Sequence, residues 1–225
     1  MSESAPAAIF SLADLDFAYP EQPPLFTGLH FTLYPGRRVG LYGPTGSGKT
    51  TFLRLIAGLE KPLRGGMFFH GQPLRGEKDF RVLRRSVGFV LQNADDQIFC
   101  PTVLEDVAFG PLNLGFTRDE ARERARRMLR ILHLGDLENR PSHRLSGGEK
   151  KLVALAGVLA MEPEALLLDE PTNGLDAKAA GRLAEALAFL PAARLIVSHD
   201  VDFLEKNTDE ILAIAGGCLE QRDRP

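Results

Sequence analysis

Cysteine is scarce in this chain. There are two, Cys100 and Cys218, far apart and without a C-x-x-C. That spacing offers neither a redox pair nor a zinc knuckle, and both are expected to be small buried hydrophobes in a reducing compartment. Long apolar runs are missing as well: no stretch of about 18 such residues is available to span a bilayer. The opening Met1-Ser2-Glu3-Ser4-Ala5-Pro6 lacks the basic region and apolar core of a secretory leader, so a cytoplasmic location is expected. No charge of one sign dominates. A net charge of −3 and a pI near 6.0 supply no basic face for nucleic acid. Linkers, repeats and low-complexity stretches are also absent, and 225 residues of ordinary globular composition read as one domain, 1–225.

What is present centres on Gly43-Pro44-Thr45-Gly46-Ser47-Gly48-Lys49-Thr50, a G-x-x-x-x-G-K-T phosphate-binding loop. A short apolar-leaning strand, Arg38–Tyr42, precedes it. A Gly- and Pro-free helix beginning Thr51-Phe52-Leu53 follows. The glycines permit turns closed to other residues, so successive N–H groups can face inward. The helix start adds unpaired donors and a positive dipole end. Lys49 can reach β- and γ-phosphates and the Thr50 hydroxyl can ligate Mg²⁺. The bland alternative is a glycine-rich turn that binds nothing.

Along the chain, Ile9–Tyr19 and Leu29–Tyr34 alternate as strands and lead to the expectation of an antiparallel sheet beside the loop. Tyr19 is an aromatic at a strand end that can either pack or stack on adenine. Met67–His70 and Val87–Leu91 read as further strands, the second ending at Gln92, which is either a solvated turn residue or a ligand to Mg²⁺ or water. From Asn93 to about Leu137 the pattern turns helical. Thr117–Glu120 is a capping box ahead of the stripe Ala121, Ala125, Met128, Leu129 and Leu132. Arg122, Arg124, Arg126, Arg127 and Arg130 read as a solvated face. Ser146-Gly147-Gly148-Glu149 opens another helix, which Pro163 ends.

Ala165–Leu168 is a continuous apolar run of buried-strand type that delivers Asp169-Glu170 at its carboxyl end, where α/β sheets place ligands. Two acids capping a helix are the alternative. A helix from about Ala177 to Leu190 follows, then the strand Leu195–Val197 delivering Ser198-His199-Asp200, then Ile211–Ile214. The fold expected is an α/β core with an antiparallel β subdomain and a helical insertion over about 93–161.

In their order these residues resemble an ATP-binding cassette ATPase over nearly the whole chain. Gly43–Thr50 matches the family's phosphate loop, Gln92 its glutamine loop, and Leu145–Glu149 its signature. Leu166–Glu170 matches the second phosphate-site strand, Leu175-Asp176 the dimer-contact loop, and His199 the switch histidine. The resemblance implies a P-loop NTPase of RecA-like core that binds ATP and Mg²⁺ and hydrolyses ATP. Lys49 and the loop, through Thr51, would hold phosphates. Thr50, Gln92 and Asp169 would serve Mg²⁺. Glu170 would orient or deprotonate the attacking water, with Gln92 near that water and His199 holding Glu170 and the γ-phosphate in geometry. Tyr19 would stack on adenine. Ser146, Gly147, Gly148, Glu149 and Asp176 would complete the nucleotide site of a second subunit, because the signature is an anion site without a ligand of its own.

Gln92–Phe99 together with Thr102–Gly115 is similar to the ATPases of energy-coupling-factor importers, as is Ala156–Met161. These prokaryotic systems import cobalt, nickel or vitamins. The resemblance implies a homo- or heterodimer at the cytoplasmic side of the membrane, a membrane coupling protein contacted by about 95–115, and a separate membrane substrate-binding protein. Asp95, Asp96, Glu105 and Asp106 with Ile98, Phe99 and Phe109 would form the contact, a plain structural insertion being the alternative. Ala94 departs from the usual Pro, Glu149 from the usual Gln, and the end at Pro225 from the extension of many vitamin-group members, which favours a cobalt- or nickel-type subunit. The competing readings are a soluble cassette protein on ribosomes or DNA, and a P-loop kinase or GTPase, which would need neither Leu145–Glu149 nor His199.

Overall fold

Alternating apolar side chains and glycine-permitted turns shape the first half of the chain. The computed structural model describes residues 7–190 and 192–222, so Met1–Pro6 and Pro225, on which two of the expectations above rest, lie outside it. In order come β1 (Phe10–Phe17), β2 (Phe26–Leu33), β3 (Arg38–Tyr42), α1 (Lys49–Ile56), β4 (Arg64–Phe69), β5 (Gln72–Pro73), α2 (Glu77–Ser86) and β6 (Val87–Val90). They are followed by α3 (Val103–Leu114), α4 (Arg118–Ile131), α5 (Gly147–Leu159), β7 (Ala165–Asp169), α6 (Ala177–Phe189), β8 (Ala193–Val197), α7 (Val201–Asn207), β9 (Glu210–Ala215) and β10 (Cys218–Gln221). Among the described residues one sheet has the order β2-β1-β4-β5 and another β10-β9-β3-β8-β7-β6. The chain divides into two compact units: residues up to Val87 with Glu164–Leu167 and Ala192 onward, and Gly88–Pro163 with Leu168–Pro191.

In the first unit, β1 buries Phe10, Leu12, Leu15 and Phe17, while β2 buries Phe26, Leu29, Phe31 and Leu33. The two pair antiparallel with Phe10 opposite Leu33 and Phe17 opposite Phe26. Leu12 and Leu15 share a face although three positions apart. A register shift between them absorbs the odd residue, and Asp14 there has φ 49°. β4 lies on the other side of β1, and a Cβ at Gly65 would stand 2.5 Å from the Asp14 carbonyl oxygen, with φ +96°. Only glycine fits that approach. β3 pairs parallel with β8 and with β9, while β10 is antiparallel to β9. All five residues of β8 are buried, Arg194 included. The early antiparallel sheet is as expected. α2, α7 and β10 were not anticipated. α2 buries only Leu83, α7 is seven residues long, and β10 has no buried residue, so none carries a strong apolar period.

The second unit is built on capped helices. Thr102, Thr117 and Ser146 each accept a backbone N–H from the glutamate three residues on, which reaches back to the cap's own N–H. The α4 stripe is buried as expected, with Ala121, Ala125, Leu129 and Leu132 at 0% exposure, and α3 packs on α4 and α5. The arginines expected merely to be solvated are mostly ion-paired at the surface: Arg124 and Arg127 with Glu162, Arg126 with Glu138, and Arg130 with Glu123. Asp106 corrects a second expectation. It is buried, and its Oδ1 accepts the N–H groups of Phe99 at 2.9 Å and Cys100 at 2.7 Å, so it staples a loop and presents no exposed acid. The cysteines correct a third: both are free thiols, Cys100 half-buried and Cys218 exposed. Among the described residues no helix is long and apolar enough to cross a membrane.

Candidate functional site

In the first unit β3 carries the chain to Tyr42, and the phosphate loop spans the gap to α1. Each glycine has a separate cause. A Cβ on Gly43 would meet Ser47 Oγ at 2.7 Å, Gly46 has φ +83°, and a Cβ on Gly48, at φ +97°, would stand 2.9 Å from the Phe26 ring. Gly48 is the N-cap and offers no side chain to the helix start, and no acid sits in the first turn of α1. The donors and the positive end of that turn are therefore left for an anion. Lys49 Nζ donates to the carbonyls of Gly43 at 2.7 Å and Pro44 at 2.9 Å, which places its charge over the loop. Ser47 Oγ is buried with no hydrogen-bond partner among the described residues. An orphaned buried hydroxyl costs about 1–3 kcal/mol, and a phosphate oxygen is the kind of partner that removes this cost.

Two further candidates belong to the same unit. Tyr19 is tied to the first turn of α1 by a 3.0 Å hydrogen bond between its hydroxyl and Thr51 Oγ1, with its ring edge-on to Phe17. His199 is exposed and follows β8. Leu41 and Val197 are register partners, and Ser198 N donates to Leu41 O at 3.2 Å. The phosphate loop and His199 thus leave the carboxyl ends of neighbouring parallel strands. Asp200 caps α7 through Phe203 N.

The other candidates lie in the second unit. Asp169, the last residue of β7, is 1% exposed. Glu170 is buried too, at φ 46°, a left-handed conformation costing about 1–2 kcal/mol outside glycine. Its carbonyl accepts from Asn173 N at 3.2 Å and from Lys151 Nζ at 3.0 Å. Burial pushes the Lys151 ammonium below its usual value, opposed by the charges of Glu170 and Asp169. Sequence reasoning passed over Lys151. The available signal was a charge in the stripe shared with Leu155 and Val158. Gln92 is exposed just beyond β6. The Gln97 amide bridges Leu91 N and Phe89 O at 3.0 Å each and anchors the chain before Gln92.

At the signature, Ser146 Oγ accepts from Glu149 N, while Glu149 takes Ser146 N at 2.7 Å and Arg140 Nη1 at 3.2 Å. The Ser146 N–H holds the Glu149 carboxyl below the usual carboxylate range. Gly147 faces open space, and a Cβ on Gly148 would touch Leu175 at 3.6 Å, so the signature and the Leu175-Asp176 loop adjoin. Asp176 Oδ1 caps α6 through Ala179 N at 2.7 Å. For Mg²⁺, Thr50, Gln92 and Asp169 offer a hydroxyl, an amide oxygen and a carboxylate, the hard oxygen donors that this ion takes.

The ABC transporter family model matches residues 26–173. The chain is 41% identical over 221 residues to the energy-coupling factor transporter ATP-binding protein EcfA of Methanocaldococcus jannaschii, covering 96% of this chain and 79% of that protein. It is 45% identical over 219 residues to the nickel import ATP-binding protein NikO of Rhodobacter capsulatus, covering 92% and 86%. Among solved structures, cbiO1 of Clostridium perfringens, part of the ABC transporter complex cbiONQ, aligns with a TM-score of 0.85 at 32% identity over 95% of this chain and 87% of that one. The ATP-binding cassette MJ0796, a dimer in a post-hydrolysis state with ADP and Pi, aligns with a TM-score of 0.86 at 26% identity over 96% and 98%. The chain belongs to the ABC transporter family and is one of its ATP-binding, ATP-hydrolysing cassettes.

Proposed function

We propose that this chain is the motor subunit of an energy-coupling-factor importer for a micronutrient, with cobalt or nickel ion as the favoured cargo. The observation that carries this reading is that relatives at 41% and 45% identity, over more than nine tenths of the chain, are named for energy coupling and for nickel import. The subunit sits peripherally at the cytoplasmic face of the membrane, pairs with a second cassette, and drives a membrane coupling protein beside a separate substrate-binding membrane protein.

The chemistry is attack of water on the γ-phosphate of ATP, in which the protein positions groups and stabilises charge. Residues Gly43 to Thr51 and the Lys49 ammonium hold the phosphates, and Ser47 Oγ gains its missing partner there. Tyr19 stacks on adenine. Thr50, Gln92 and Asp169 would hold Mg²⁺, which when bound neutralises phosphate charge. Glu170 accepts the proton of the attacking water or orients it. His199 keeps Glu170 and the γ-phosphate in line. Ser146, Gly147, Gly148, Glu149 and Asp176 serve the nucleotide held by the second cassette.

The segment 95–115 meets the coupling protein. Phe99, 64% exposed, and Phe109, 42% exposed, stack edge-on at 4.7 Å between ring centroids. Asp95 is engaged by Lys150 at 2.5 Å, Glu105 by its cap Thr102 and Asp106 by the loop before α3, which leaves Asp96 as the acid for a partner. Co-purification from native membranes in mild detergent tests the whole reading. A small coupling protein and a second membrane protein are the expected companions. Recovery with ribosomal or DNA-bound proteins, and none from the membrane, would overturn the transport function and leave the ATPase.

A further inference from the structure

A strained catalytic candidate and a desolvated lysine meet at one carbonyl. Glu170 is a buried non-glycine residue with φ 46°, and such a conformation persists only where the surroundings impose it. Asn173 N closes a turn on its carbonyl oxygen from three residues on. The second donor is Lys151 Nζ at 3.0 Å, which comes from a different element, the helix that opens with the signature.

The surroundings of Lys151 make this contact unusual. Its side chain lines a cavity of about 10 Å³, about the space of one water, with Leu152, Leu155, Leu168, Leu175 and Leu183. An ammonium facing such walls loses hydration, which an apolar side chain of similar length would not. Lys151 is only part-buried, and replacing a desolvated charge by a well-packed hydrophobe is often neutral or stabilising. Packing therefore gives no reason for a lysine here. Lys150 turns instead to Asp95, so the two adjacent lysines are not interchangeable surface charges.

We propose that Lys151 is a positioning residue for hydrolysis: from the signature helix it grips the carbonyl of Glu170 and holds the left-handed turn that aims that carboxylate at the attacking water. The proposal rests on the assignment of the water to Glu170. In this role Lys151 acts through Glu170, and its contact ties the backbone of that residue to the signature helix.

Steady-state ATP hydrolysis, ATP binding and thermal melting of the purified chain test this. Lys151→Met should lower kcat by about 10- to 100-fold with KM for ATP held within about twofold, since a misaimed group costs rate and not ground-state binding. Its melting temperature should not fall. Lys151→Arg, which keeps a charged donor, should recover part of the rate. In a Glu170→Gln background, Lys151→Met should cause no further loss in single-turnover rate, because both changes act on one group. Wild-type kcat in Lys151→Met overturns the proposal. So does a loss shared between kcat and ATP affinity, or one fully additive with Glu170→Gln. If Lys151→Met does not fold, Lys151→Gln is read by the same criteria. Glu170→Gln turning over ATP at the wild-type rate is a separate failure, because it removes the assignment of Glu170 itself.

Discussion

Lys49 bonds the carbonyls of Gly43 and Pro44, so its ammonium is anchored to the loop before any phosphate arrives. Removing it deletes charge-assisted contacts worth about 1.5–3 kcal/mol each, so Lys49→Ala should weaken ATP binding by at least about 100-fold in a calorimetric titration. Unchanged affinity would sink the loop assignment. The two thiols separate by environment. Burial, then the charge of Asp106, pushes the Cys100 thiol up to about 11, whereas Cys218 is exposed. The thiolate is the reactive form, and a raised value means less of it at any pH below 11. Iodoacetamide at pH 8 should therefore label Cys218 and spare Cys100, with Cys100 labelling only as pH approaches 11; peptide mass spectrometry reads the difference. The types and spacing of Gly43–Thr50 announced themselves in sequence because the turn chemistry is local. Ser47 as the orphaned hydroxyl and Lys151 as a partner of Glu170 did not, since each depends on atoms brought from elsewhere in the chain.

At the scale of elements, the helices of the second unit were legible where cap and stripe coincide. Thr117 with Glu120 and Ser146 with Glu149 form the boxes their spacing implies. α3 carries the same box at Thr102 and Glu105, a signal present in the sequence but not read. The loop before it depends instead on Asp106, whose single oxygen takes the N–H groups of Phe99 and Cys100. Asp106→Ala should strand both donors and destabilise the fold by about 1–3 kcal/mol, seen as a lowered melting temperature. A melting temperature equal to wild type would mean that water replaces the carboxylate without loss. α2 escaped notice because it is mostly solvent-facing: its start is held by Asp79, which accepts from Arg75 N and Gly76 N, and not by an apolar stripe.

For the whole molecule, the candidate residues divide between the two compact units. The phosphate loop, Tyr19 and His199 belong to one, and Gln92, Asp169, Glu170, the signature and Asp176 to the other. A signature that caps its own helix and still leaves Gly147 facing open space suits a nucleotide brought by another subunit. With hydrolysis blocked by Glu170→Gln, MgATP should convert monomer to dimer in light scattering. A strictly monomeric species at high concentration would count against the second-subunit role. Assembly with the membrane protein is separable from this. Asp96→Lys should reduce recovery of the coupling protein while leaving the ATP affinity of the isolated subunit unchanged, and the reverse pattern would exclude the segment 95–115 as the contact.

The sequence by itself determined the strand–loop–helix around Lys49, the buried run of β7 ending in Asp169-Glu170, the capped helices of the second unit and the family resemblance. All of these rest on spacings of a few residues, where backbone geometry and side-chain periodicity act directly. Tertiary structure alone decided that Asp106 is a buried staple, that the α4 arginines are mostly paired, that Cys218 is exposed, and that a lysine grips the carbonyl of Glu170. The physical reason is common to all four: burial and partnership are properties of residues distant in sequence, and no local pattern encodes which of them fold onto one another.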